Sequence, residues 1–280
     1  MIHLLRRTPY EDVRDSVTAV LWNASSSPQL KGQILDDGLN VLVKNIIIPF
    51  SGWDADVNRR LNPQGKFPAV FKNATGILRN CSSADYDGRR KMRDCDGFIP
   101  SLLHAVNSSL QSLNEIDNKS IKNCMCILRN LSYKLQEVVD RDYERNYRAM
   151  AAASTWSMAP SQHNGESEKA KVDCMSSKQK KTKQLYDQMG ANHNNHTGNV
   201  YAIMAPRDGR PVEMLWQTDV ISTYIHLLRH SSNPDTLEAT AGCIQNLSEF
   251  TRGDALVWQA SVVSFASSGL LLEAIGGSAR

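Results

Sequence analysis

The stretch Asn123-CMCILRNLS-Tyr133 recurs without gaps as Ser16-VTAVLWNAS-Ser26, Asn73-ATGILRNCS-Ser83 and Ala239-TAGCIQNLS-Glu249. Each copy closes on an apolar residue, a variable residue, Asn, a small or apolar residue, and Ser. At about 100° per residue a helical copy divides into two faces. One face carries Phe71, Ala74, Leu78 and Cys81, then Ile121, Cys124, Leu128 and Leu131 in the following copy. The same register gives Arg14, Val17, Leu21 and Ala24 in the first copy and Leu237, Thr240, Ile244 and Leu247 in the last. Apart from Arg14 and Thr240 this is an apolar stripe, and it is expected to face the core.

The opposite face carries Asn73, Gly76 and Asn80, then Asn123, Cys126 and Asn130. Asparagine is a mediocre helix former, so its return at one register asks for a reason. A side-chain amide offers both a donor and an acceptor. It suits gripping the backbone of an extended peptide, or bonding loops and neighbouring helices of the same chain. For Asn23, Asn80 and Asn130 the first use is expected; for Asn73 and Asn123 the two stand level.

Asp36-Asp37-Gly38 and Asp94-Cys95-Asp96-Gly97 each precede an apolar run, so both glycines read as helix stops with φ > 0. A short helix, a glycine turn, an apolar helix and the long signature helix then make a three-helix unit. Alternation of the kind that marks strands is absent. The signature asparagines stand 57, 50 and 116 residues apart. The first two intervals slightly exceed the ~40–47 residues of an armadillo or HEAT unit, and the last requires an insertion. The expected fold is an all-α, right-handed solenoid of armadillo repeats over residues 1–142, resumed at 212–252.

Between them, residues 143–211 are polar and contain Lys178, Lys180, Lys181 and Lys183, which reads as a disordered loop with affinity for anionic surfaces. Residues 253–280 read as a divergent tail. Met1 opens in what reads as the second helix of a unit, so a piece of a longer array is expected. The basic run Arg89-Arg90-Lys91-Met92-Arg93 reads as a solvated face.

Composition narrows the function. A net charge of +3 makes the chain no general polyanion binder, so nucleic acid is an improbable partner. No run of 18 apolar residues is present, which argues against a transmembrane segment. The start is too short in apolar residues for a signal peptide, and the six cysteines form no spaced framework, which fits a reducing, cytosolic setting. Eight Asn-x-Ser/Thr sequences, several of them inside helical patterns, are accordingly read as incidental. Cys124 and Cys126 lie 200° apart on a helix, one toward the core and one toward the groove, too far for shared chelation. His193 and His196 lack a third ligand, and His226 and His230 lack a partnering carboxylate pair. No phosphate loop and no nucleophile elbow occurs. Neither metal nor cofactor is expected, and no enzyme.

Six stretches together resemble the delta-catenin/plakophilin branch of armadillo proteins. They are Leu21-Trp22-Asn23-Ala24-Ser25-Ser26, Ile48-Pro49-Phe50-Ser51-Gly52-Trp53, Gly76-ILRNCSS-Ala84, Arg89-RKMRDCDG-Phe98, Cys124-MCILRNLSY-Lys134 and Leu237-EATAGCIQNLS-Glu249. They extend over residues 1–135 and 212–252. The resemblance implies a groove lined by the signature helices that holds the acidic juxtamembrane tail of a cadherin at cell-cell junctions. Asn23 matches a groove asparagine with Trp22 beside it, and Asn80 and Asn130 are the equivalent positions further along. The lysine loop implies Rho-family GTPases or an anionic membrane surface as further partners, and entry to the nucleus. A desmosomal plakophilin-type linker, and a nucleic-acid-associated solenoid, are the alternatives. Nuclear import receptors pair Trp four residues before Asn, where this chain holds Ala19, Gly76, Cys126 and Gly242, which disfavours import-signal recognition.

Overall fold

The computed structural model describes residues 1–53, 67–111, 115–135, 138 and 211–248. The lysine run and most of the insertion, residues 143–210, lie outside the described residues, as does the tail 253–280. In chain order the helices are α1 Ile2–Arg7, α2 Glu11–Ala24, α3 Pro28–Leu42, α4 Ile48–Ser51, α5 Ala69–Ser82 and α6 Tyr86–Arg93. They continue as α7 Phe98–Gln111, α8 Lys119–Ser132, α9 Thr218–His230 and α10 Pro234–Ser248. No strand occurs among the described residues. The four signature segments are α2, α5, α8 and α10, and each packs along the next to make an all-α solenoid.

The apolar stripe faces inward as expected in the two central copies. Phe71, Ala74, Leu78, Cys81, Ile121, Cys124, Leu128 and Leu131 are all fully buried. In α10 the buried stripe turns by one residue, to Thr236, Ala239, Thr240, Cys243 and Leu247. Leu237 and Ile244 are half-exposed, because no described helix covers the far side of α10. Arg14 and Ala24 at the other end of the stack are half-exposed for the same reason.

The local stops follow their residue chemistry. The Asp85 side chain accepts from Gly88 N at 2.9 Å and caps α6, and Asn118 accepts from Ser120 N at 2.8 Å to cap α8. Gly97 takes φ 73°, the left-handed turn expected of it before α7. Gly38 does not: α3 runs straight through it. The glycine is there because a Cβ would lie 2.7 Å from Ile2 Cδ1 of α1. The break in this unit comes later, at the π turn Val43–Ile47, where Ile48 N reaches back to Val43 O. Pro49 supplies no N–H for the carbonyl four residues before it, and the wider turn absorbs the loss. A left-handed Gly52 at φ 83° ends α4.

The basic run on α6 is not a solvated face throughout. Arg93 is 1% exposed; its Nε donates to Leu131 O at 2.9 Å and its Nη2 to Tyr133 O at 2.6 Å. It thereby satisfies carbonyls that the C-terminus of α8 leaves without helical partners. Arg89 donates to Ala84 O and stands 5.7 Å above the Tyr133 ring, while Lys91 pairs with Asp36 on α3.

The repeat beyond the insertion is tied back to the one before it. Asp117, just ahead of α8, accepts from Ser231 Oγ at 2.7 Å, from the hydroxyl and backbone N of Ser232, and from Asn233 N at 3.2 Å. Asn233 in turn caps α10 through Asp235 N and Thr236 N. Inside the core, Thr223 Oγ1 of α9 donates to Asn107 Oδ1 of α7 at 2.7 Å. Burial alone would raise the Asp117 carboxyl, but the hydrogen bonds from Ser231, Ser232 and Asn233 together outweigh it and hold the group below its ordinary value.

Two predictions follow from this packing. Leu78→Ala should lower unfolding free energy by ~2–5 kcal/mol as a core truncation, measured by chemical denaturation; an unchanged midpoint would mean that α5 faces the other way. Because Asp117 is depressed in the folded state, its stabilisation is complete above the unfolded value near ~3.9 and is lost as pH falls through the lower folded value. Asp117→Asn should therefore be less stable than wild type at neutral pH, with the difference shrinking as pH drops below about 4. A difference that stays constant down to acid would show that the carboxylate charge plays no part.

Candidate functional site

The exposed faces of α2, α5, α8 and α10 lie side by side, and Asn80, Asn130 and Asn246 on them are engaged before any ligand arrives. Ser25 Oγ donates to Trp22 O at 2.7 Å, Ser82 Oγ to Arg79 O at 2.7 Å and Ser132 Oγ to Arg129 O at 2.8 Å. Each hydroxyl proton is thus used on its own helix, leaving the oxygen as an acceptor. Asn80 Nδ2 donates to Ser25 Oγ at 2.9 Å, Asn130 Nδ2 to Ser82 Oγ at 2.9 Å and Asn246 Nδ2 to Ser132 Oγ at 3.1 Å. Every interval between signature helices carries the same Asn-to-Ser rung, and the committed serine proton fixes which end of the amide points inward. The oxygens Oδ1 of Asn80 and Asn130 accept no hydrogen bond among the described residues, and both side chains are half-buried.

A second row lies deeper. Asn73 Nδ2 donates to Thr18 Oγ1 at 3.2 Å, and Asn123 Nδ2 to Thr75 Oγ1 at 3.3 Å. Both threonine hydroxyls give their own protons to carbonyls of their helix, Thr18 to Arg14 O and Thr75 to Phe71 O. At the third interval the equivalent positions are Met125 and Ala239, both fully buried. The polar pair is replaced as a pair by an apolar one. Asn73 is 7% exposed and Asn123 is fully enclosed. Of the two uses open to these amides, the geometry gives them the bond to the neighbouring helix, and neither lines the surface.

Asn23 differs. It is exposed, and among the described residues its amide finds no partner, since no described signature helix precedes α2 to offer a serine. Trp22 lies flat on the next helix: a Cβ on Gly76 would come within 2.2 Å of its ring. The ammonium of Lys119 stands 4.9 Å from the centre of that ring. The same offset returns at Arg129, whose Cδ would be 2.6 Å from a Cβ on Gly242. Burial raises the Cys126 thiol above its ordinary value, and Arg79 lies near enough to oppose that shift only in part. The residue before each signature Asn thus crosses to the position four before the next Asn, which explains the small residues there. Cys126 does not open to the groove as its register implied; it is 3% exposed beneath this layer.

Cationic side chains missed in the sequence complete the surface. Arg79 Nη1 reaches Asn123 Oδ1 at 3.5 Å, Lys122 Nζ meets Asp235 Oδ2 at 2.8 Å and Arg129 Nη1 meets Glu238 Oε1 at 2.9 Å. Arg79 and Arg129 recur one residue before Asn, a sequence signal that was present but overlooked. Burial pushes the thiols of Cys81 and Cys243 up to about 12 and that of Cys95 up to about 11, so they stay protonated near neutrality. No group of His, Cys, Asp and Glu that could hold a metal ion occurs among the described residues, and no described helix is long and apolar enough to cross a membrane.

Comparison with known proteins agrees with this architecture. The Armadillo/beta-catenin-like repeat family matches residues 210–249. Catenin delta-2 of Homo sapiens is 39% identical over 251 residues, covering 88% of this chain and 19% of the relative. Splicing regulator ARVCF of Homo sapiens is 36% identical, covering 89% and 25%. Plakophilin-4 of Homo sapiens is 35% identical, covering 89% and 20%. The chain spans about a fifth to a quarter of the length of these curated relatives.

The Asn-to-Ser rungs predict a stability effect away from the apolar core. Ser82→Ala removes the acceptor of Asn130 Nδ2 and should cost about 1 kcal/mol, whereas Ser26→Ala, exposed and outside the rungs, should be neutral in the same urea titration. Equal midpoints for the two variants would remove the rungs from the account of stability.

Proposed function

Because the chain belongs to the delta-catenin and plakophilin family of armadillo-repeat proteins, we propose that its signature-helix surface is a groove for the cytoplasmic juxtamembrane tail of a cadherin. In this reading it serves as a non-catalytic adhesion scaffold on the cytoplasmic side of cell-cell junctions. The observation that carries the proposal is the division of labour within each amide. The donor end of Asn80 and Asn130 is held by a serine of the preceding helix, and the acceptor end is left for a peptide N–H. Asn23 has both ends available among the described residues, with the Trp22 indole beside it as an apolar platform. Lys119, Arg79, Lys122 and Arg129 make the central groove attractive to an acidic peptide. Such an arrangement reads peptide backbone through fixed amides and sets preference through charge.

Rho-family GTPases and anionic membrane surfaces are proposed as further partners of Lys178, Lys180, Lys181 and Lys183. They rest on the charge run itself, which concentrates four lysines within six residues.

Asn23→Ala should weaken binding of a cadherin juxtamembrane peptide severalfold while leaving the melting temperature unchanged, since the amide has no described partner to lose. The test is fluorescence anisotropy beside thermal unfolding of the same samples. A fall in melting temperature with unaltered affinity would make Asn23 a structural residue instead.

A further inference from the structure

The surface between α8 and α10 holds a shallow polar hollow of about 400 Å³, lined by Arg129, Asn130, Tyr133, Glu238, Gln245 and Asn246 among others. Among the described residues that line it, Arg129 is the one cationic group. The guanidinium stem rests on Gly242, where no side chain stands in the way. Beside it the Gln245 amide and the Tyr133 hydroxyl can donate to an anion without adding charge, while Asn130 and Asn246 turn donors to the ladder. Asn246 Nδ2 is committed to Arg129 O and Ser132 Oγ, so the polar environment is fixed in place by the ladder.

A carboxylate already occupies this cation. Glu238 reaches Arg129 Nη1 at 2.9 Å, yet its own side chain is 75% exposed, against 33% for Arg129. One partner is half-sheltered in the hollow and the other leans in from solvent, bound by a single contact. Exposed pairs of that kind hold weakly, so Glu238 can swing out with little loss. One step earlier along the groove Arg79 occupies the equivalent position and makes no ion pair among the described residues. The two successive arginines are therefore unequal: one reaches only the Asn123 amide and the next is covered by a carboxylate.

We propose that the Arg129 hollow is a subsite for a carboxylate side chain of an extended peptide, and that Glu238 is an internal stand-in for that carboxylate which a ligand must displace. The inference rests on the groove reading above and adds to it an autoinhibitory contact. Glu238 sets a threshold: a peptide carrying an acidic residue at this position replaces one carboxylate by another, and a peptide without it leaves the internal pair closed. Lys122 and Asp235 form a comparable pair further toward the N-termini of α8 and α10, but Lys122 is only 17% exposed, so that contact is part of the packing.

The test uses the whole 280-residue chain and a fluorescein-labelled acidic cadherin juxtamembrane peptide at low ionic strength. Glu238→Gln, which keeps size and removes charge, should bind about two- to fivefold more tightly than wild type, the range expected for releasing one exposed ion pair. Circular dichroism should show the two chains equally folded. The gain should vanish in the Arg129→Gln background, where no cation remains to be released. Equal affinity of wild type and Glu238→Gln would overturn the gate while leaving the groove standing. A gain that persists without Arg129 would equally overturn it, by showing general repulsion in place of a specific contact. A peptide bound by neither chain would overturn the groove reading itself.

Discussion

A serine hydroxyl has one proton to give, and in each repeat it gives it to a carbonyl of its own helix. The geometry of the array depends on that commitment. With the proton spent, Ser25, Ser82 and Ser132 present lone pairs to the following helix, and only the NH₂ end of an asparagine can answer them. The rung is directional, so it sets the rotation of each signature helix against its neighbour, where apolar packing alone tolerates sliding. Burial of Leu78 or Leu128 supplies the larger free energy. The Asn-to-Ser rung supplies register, and the deeper Asn-to-Thr pairs repeat the device at the first two intervals.

Register of this kind explains how the stack resumes after the long interval between α8 and α9. In a solenoid each unit touches only its neighbours, so an insertion is tolerated if the interface across it is complete in itself. The interface here combines several kinds of contact. It has a buried hydroxyl bond from Thr223 to Asn107, the Asp117 carboxylate at the start of α10, a rung from Asn246 to Ser132, and two ion pairs at the groove surface. Asp117 is notable because it answers backbone N–H groups of Ser232 and Asn233 just ahead of α10, as a capping residue does, although more than a hundred positions of sequence separate them.

How much of this was legible in the sequence depends on which question is put to a period. The 3.6-residue repeat says which residues share a face, and Phe71, Leu78, Cys124 and Leu128 lie where it puts them. It does not say what stands opposite that face. Asn73 and Asn123 share a register with Asn80 and Asn130, yet they meet a threonine under cover while the others emerge at the rim. Cys126 is on the groove side of α8 but lies under the side-chain layer that reaches over from the helix before. Gly38 and Gly97 look alike in their Asp-rich contexts; one is a turn, the other a close approach to Ile2, and only tertiary contact separates them. Arg93 belonged to a run of cations and was read as solvated, because nothing local signals that the C-terminal carbonyls of a helix forty residues later will need it. The closing serine of each copy is visible in the sequence, but its use is not. The Ser that follows each signature Asn by two residues, which creates a glycosylation-like triplet, is the acceptor of the next rung, and its recurrence is as regular as that of the Asn.

The same accounting of donors and acceptors constrains what the surface is able to recognise. An asparagine whose NH₂ is held inward faces the groove as an acceptor, so a row of them favours the N–H groups of a strand lying across it. They carry no preference for side chains. Selectivity must then come from the residue preceding each asparagine, which changes along the array from Trp22 to Arg79 to Arg129 to Gln245. That position is free to vary because its partner in the next helix, Gly76, Cys126 or Gly242, is small enough to receive whatever crosses over it. Tolerance at one place and strict hydrogen bonding at another thus lie only one residue apart. This lets a fixed solenoid change what it binds without changing how its helices stack.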